Sequence, residues 1–218
     1  MTAYNFSNLI TAINCELEMQ CIMALEAFKA SRINLKEYKE TCLNRSTDLS
    51  DFNQMKQFCQ KASEGQYKFF RNIHSLIVCH ANISKLLHWK GKGFRGKNKF
   101  PGSDDEKDKI KKHLSELRKS LNSFVNNDRT IRDYVEHFDE CLINSACQSD
   151  ISNLRFCHSS ERVQRANSIS KEQYLREIIY DDMKYAVSGK DYDLKGMIED
   201  VEKLQQKIHA LKEFGAII

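Results

Sequence analysis

One proline in 218 residues is the strongest constraint on this fold, and it stands at Pro101, inside the only glycine-dense stretch. Elsewhere nothing fixes φ or removes a backbone donor, so long helices are free to run. The apolar residues fall at three- and four-residue steps, the spacing of one buried helical stripe. Leu9, Ile13, Leu17, Cys21, Ala24 and Phe28 predict a first helix over Phe6–Ile33. Phe58, Phe69, Phe70, Ile73, Leu76, Ile77, Ile83, Leu86 and Leu87 predict a second over Asp51–Trp89, with Asp48 or Ser50 as its cap.

The stretch KGKGFRGKNKFPGS, residues 90–103, breaks that pattern and reads as a flexible basic loop. It contains Lys90, Lys92, Arg95, Lys97 and Lys99 with no acid among them, and Phe94 and Phe100 are interspersed. Such a loop either follows a phosphate backbone and offers rings to bases, or is simply a solvated linker. It lacks the Gly-x4-Gly-Lys-Ser/Thr order of a phosphate-binding loop. A third helix follows from Asp104, with acids first and bases later, as the helix dipole favours. Tyr174–Tyr180 and Lys184–Ser188 are β-type runs around a short turn, predicting a hairpin before a last helix over Leu194–Phe214. The expected fold class is mainly α, a helical bundle with a small β-hairpin near the C-terminus, forming a single domain over residues 1–218.

Composition sharpens this only at the margins. There is no apolar run long enough to cross a bilayer and no signal-peptide pattern at the N-terminus, so the expected location is the cytoplasm, with no membrane partner. Eight cysteines without CxxC or Cys/His ligand spacing read as reduced core residues, with neither a structural metal nor a cofactor expected. His74 and His80 lie among apolar residues and read as packing histidines, and Trp89 as a packing residue at a helix end.

The chemically suggestive segment is TIRDYVEHFDECL, residues 130–142, with Asn127 or Asp128 as its cap. Ile131, Tyr134, Val135, Phe138 and Leu142 form its buried stripe. Arg132 and Glu136 stand one turn apart on the remaining surface, as do Asp133 and His137. Two readings fit this spacing. In one, these are ordinary i,i+4 ion pairs on a wet face. In the other, Asp133 orients His137 for proton transfer and Arg132 binds a phosphate. Arg132 and His137 lie about 140° apart around the helix axis. Side-by-side helices of a two-fold dimer would bring the arginine of one towards the histidine of the other.

Arg-x4-6-His on a late helix of an α-bundle, with a polar residue after the arginine, is the signature of HEPN-domain proteins, and RDYVEH resembles it. RDYVEHFDE is similar to an Arg-x-x-x-Glu-His-Phe-Asp-Glu variant of uncharacterised bacterial members, and FFRNIHSLIVCHANISKLLHW and YAVSGKDYDLKGMIEDVEKL resemble that subgroup too. The resemblance implies a metal-independent endoribonuclease, often a toxin or antiviral-defence effector, that works as a homodimer with a composite site. His137 would be the general acid/base and Arg132 the contact to the scissile phosphate. Asp133 would position His137 and Glu136 would tune Arg132. Implied partners are RNA and an antitoxin or defence-system protein. The alternative is a non-catalytic helical module that binds RNA, a nucleotide or a partner protein.

Overall fold

The structure, a computed structural model, describes residues 6–44, 52–90, 102–125, 131, 134, 152–161, 174–187 and 190–213. Two long helices open the chain, α1 over Phe6–Leu43 and α2 over Phe52–Leu87. Next come α3 (Asp104–Arg118) and the short α4 (Asn122–Val125). Four strands follow, β1 (Ser152–Cys157), β2 (Tyr174–Ile179), β3 (Lys184–Val187) and β4 (Lys190–Asp193). The last helix, α5, spans Leu194–Glu213. The chain is thus mainly helical, with a small sheet near its C-terminus.

The sheet order is β1-β2-β3-β4. β1 runs parallel to β2, with Arg155 opposite Glu177, whereas β2–β3 and β3–β4 are antiparallel. The expected hairpin is therefore present as β2–β3, and β1 and β4 are additional. Its turn has no Asn-Gly pair; Met183 adopts the left-handed conformation instead, at φ 51°. Its carbonyl accepts the Leu194 N–H at 3.0 Å, tying the turn to the start of α5. Helix α1 runs ten residues past the expected end, because Leu35, Tyr38 and Cys42 continue the apolar spacing begun upstream.

Contacts divide the chain into two compact units. The first comprises Met1–Leu25, Val78–Arg129 and Gly196–Ile218; the second comprises Glu26–Ile77 and Thr130–Lys195. The first unit is helical. Its fully buried residues include Leu17, Cys21 and Ala24 of α1, Ile83 of α2, Ile110 of α3, Phe124 of α4, and Val201, Leu204 and Ile208 of α5. Polar ties supplement that core. Asn14 meets the His113 ring at 2.8 Å, and Asn82 donates to Gln20 at 3.3 Å. Asp200 accepts the Ser123 N–H at 2.6 Å, satisfying a donor at the start of α4. Lys207 Nζ donates to the Leu117 carbonyl at 3.0 Å and to that of Lys119, closing the C-terminal end of α3. The other end of α3 has a full capping box, Ser103 and Glu106 each accepting the other's backbone N–H.

The second unit places the sheet with parts of α1 and α2. Phe69, Ile73, Leu76 and Ile77 of α2 and Ile178, Ile179, Tyr185 and Val187 of the sheet are buried. An aromatic cluster links them: Phe156 lies edge-on to Tyr38 and Phe69 and stacks on Tyr180 at 4.9 Å. No helix among the described residues is long and apolar enough to cross a membrane.

Candidate functional site

Of the motif segment, Ile131 and Tyr134 are described. Both are helical and buried, 3% and 5% exposed, as the first two positions of the expected stripe require. Arg132, Asp133, Glu136 and His137 lie outside the described residues, as do Lys92, Arg95, Lys97 and Lys99 and the expected caps Asp48, Ser50, Asn127 and Asp128. Lys90 is exposed, just beyond the C-terminal end of α2. Among the packing histidines, His80 is buried with its ring stacked on Phe124 at 4.3 Å. His74 is held below the ordinary histidine range, first by burial and then by the charge of Arg176.

Arg176 is a residue that sequence reasoning passed over. It is buried in β2, with its guanidinium 4.5 Å from the centre of the Phe70 ring. Burial lowers its pKa, while Tyr185 and Tyr134 act in the opposite sense. Tyr185 is in turn pushed up, chiefly by burial. Arg176, the Phe70 ring and the phenols of Tyr185 and Tyr134 thus lie within electrostatic reach of one another in the second unit. The signal was available in QYLREII, where an Arg-Glu pair interrupts an otherwise apolar strand. Beside it, Arg155 Nη1 pairs with Glu177 Oε1 at 3.3 Å, and the Cys157 thiol donates to the same oxygen at 3.3 Å. That thiol is pushed up to about 12, first by burial and then by Glu177, and so is no nucleophile.

A second polar group gathers where parallel strands β1 and β2 end. Asp181 accepts the Ser159 N–H at 2.8 Å and the Ser159 hydroxyl, and lies 3.2 Å from His158 Nε2. On the far side of the imidazole, Nδ1 receives the Ser160 N–H at 3.2 Å and meets Ser160 Oγ at 2.8 Å. This network assigns the proton to Nε2 and leaves Nδ1 as the acceptor. Burial raises the Asp181 carboxyl, but hydrogen bonds from the Ser159 hydroxyl and N–H and from its own N–H outweigh it, joined by His158 when that ring is protonated, and hold the group below its ordinary value. The arrangement orients a half-exposed histidine, and it also ties the end of β1 to the end of β2. Lys39 Nζ stands 5.4 Å from the Tyr180 ring at the same end. The motif search missed this group because His158 and Asp181 are 23 residues apart in the chain.

A groove of about 580 Å³ lies between the end of α1 and the start of α2. It sets Glu37 and Glu40 against Lys61, which gives a phosphate backbone no net attraction. Among the described residues no three His, Cys, Asp or Glu side chains converge as a metal site would need. No family model, curated protein or solved structure matches this chain.

Proposed function

We propose that this chain is a metal-independent endoribonuclease of HEPN type, in which Arg132 and His137 form a composite site across a homodimer. The observation that carries this reading is the burial of Ile131 and Tyr134 in helical conformation. Those two positions are the first of the apolar stripe on which the motif helix was expected to pack, and they support that reading. His137 takes the proton from a ribose 2′-hydroxyl, whose oxygen attacks the adjacent phosphorus. The P–O5′ bond breaks, the leaving oxygen takes up a proton, and a 2′,3′-cyclic phosphate and a 5′-hydroxyl remain. Arg132 neutralises charge on the phosphoryl oxygens. Asp133 orients His137 and Glu136 tunes Arg132. The basic segment Lys90, Lys92, Arg95, Lys97 and Lys99 follows the RNA backbone. A toxin or antiviral-defence role, with an antitoxin or defence-system partner in the cytoplasm, belongs to the same reading.

A second reading, a non-catalytic helical module that binds RNA, a nucleotide or a partner protein, is favoured by the apolar side chains exposed on α1. The two readings separate when end-labelled RNA is incubated in EDTA with the wild type and with an Arg132→Ala/His137→Ala variant. Cleavage by the wild type alone, leaving cyclic-phosphate ends while DNA survives, is the expected result. RNA left intact by both proteins, or cut equally by both, rejects the site.

A further inference from the structure

Helix α1 carries a row of apolar side chains that the fold leaves in solvent. Met19, Ile22, Met23 and Ile33 are 51%, 47%, 51% and 52% exposed, and Ala12 and Cys15 are exposed on the same row. Single exposed hydrophobic residues are ordinary, but four on one face of a helix are not. The row Met19, Ile22, Glu26, Lys29, Ile33 repeats in steps of three and four, all five residues are exposed, and the helix is unbroken from Phe6 to Leu43. That is the a/d pattern of a helix that packs against another helix along its length.

We propose that this face pairs with the same face of a second copy of the chain, antiparallel, in the register that puts Glu26 opposite Lys29 of the partner subunit. In that register a positions meet d positions throughout. By symmetry Lys29 also meets Glu26 of the partner subunit, so two opposite-charge pairs form about the two-fold axis. On each side of them Ile22 meets Ile33 of the partner subunit. One layer further out, Met19 lies under the aliphatic stem of Lys36 of the partner subunit.

Charge selects this arrangement over its competitors. A parallel pair stacks Glu26 on Glu26 and Lys29 on Lys29, which repel. An antiparallel pair centred between Met19 and Ile22 buries more methionine, but sets Glu26 against Cys15 and Lys29 against Ala12. Each charge there loses water without gaining a partner. Only the proposed register covers Ile33 and pairs both charges. The inference rests on the ribonuclease reading for a homodimer and adds the face through which the copies meet. It is tested without RNA, and a dimer indifferent to the charge exchanges would refute this face while leaving that reading standing.

Sedimentation equilibrium on the full chain gives the test, using the wild type, Glu26→Lys, Lys29→Glu and the double exchange Glu26→Lys/Lys29→Glu. The wild type is expected to be dimeric at about 100 µM. Each single exchange creates two like-charge contacts per dimer and is expected to weaken it at least about tenfold. The double exchange restores the dimer, and so does mixing the two single variants, because one then contributes two lysines and the other two glutamates. Both positions, Glu26 and Lys29, are solvent-exposed in the monomer, and circular dichroism checks that the helix content is unchanged. A monomeric wild type, a dimer indifferent to the single exchanges, or a loss that neither combination repairs would overturn the proposal.

Discussion

Replacing Glu177 by glutamine tests how the second unit tolerates buried charge. Glu177 and Arg155 face each other in register across β2 and β1, with both side chains 11% exposed and their nearest atoms 3.3 Å apart. At an effective dielectric of about 20 their attraction is roughly 5 kcal/mol. Taking each ion out of water costs several kcal/mol, so the pair as a whole contributes close to nothing. Removing one member is a different matter, because the other keeps its desolvation cost and loses this 3.3 Å attraction, at about 3–5 kcal/mol. Glutamine keeps the shape and an acceptor for the Cys157 thiol, so the lower end, about 3 kcal/mol, is expected. For a chain of this size that lowers the melting temperature by roughly 6–12 °C. The double replacement Arg155→Met/Glu177→Leu, by contrast, should stay within about 1 kcal/mol of the wild type. Urea titrations of Glu177→Gln, of Arg155→Met and Glu177→Leu singly, and of their double variant, followed by circular dichroism, complete the cycle. If Glu177→Gln costs under about 1 kcal/mol, or if the double variant loses the sum of the singles, the reasoning is refuted.

Two further predictions concern the remaining polar ties. His74 and His113 are both held below 6.5, each chiefly by burial, so the unfolded chain takes up their protons first. Their contribution is complete above about pH 6.5 and is lost as pH falls through their folded values. Urea midpoints should therefore drop between pH 7.5 and 5.5, and less steeply in His113→Gln, which keeps a polar partner for Asn14. Asp200→Ala removes the acceptor of the Ser123 N–H and should cost about 1–3 kcal/mol in the same assay, whereas Asp200→Asn should cost clearly less.

What the sequence disclosed followed from pattern length. Helix α2 and helix α5 each end within a few residues of their expected limits, because a long stripe averages out local exceptions. The β2–β3 hairpin was readable from its two apolar runs. Strand β4, Lys190–Asp193, was not, since a short polar segment becomes a strand only by pairing with the already formed β3. Strand β1 is legible for neither reason: its partner β2 lies beyond a long connection and runs parallel to it. At the motif, the periodicity fixed the buried sides of Ile131 and Tyr134, but contained nothing of Arg176, which reaches Tyr134 only through the tertiary fold. The His158–Asp181 pair was hidden in the same way, its members being joined by strand pairing rather than by helical spacing.

The salt bridge from Glu18 to Lys212 joins α1 to α5 across 194 residues of chain. Seen from the ribosome, that closure sets an order of events. The second unit ends at Lys195, so all of its residues emerge before α5 is complete. Meanwhile Leu17, Cys21 and Ala24, fully buried in the finished fold, await Val201, Leu204 and Ile208. At about 5–20 residues per second that wait lasts roughly 10–40 s. During this interval the N-terminal half of α1 presents apolar surface on two sides, the one that will be buried and the one that stays exposed. The nascent chain is therefore most exposed to chaperones, and to its neighbours on the same message, through its first helix.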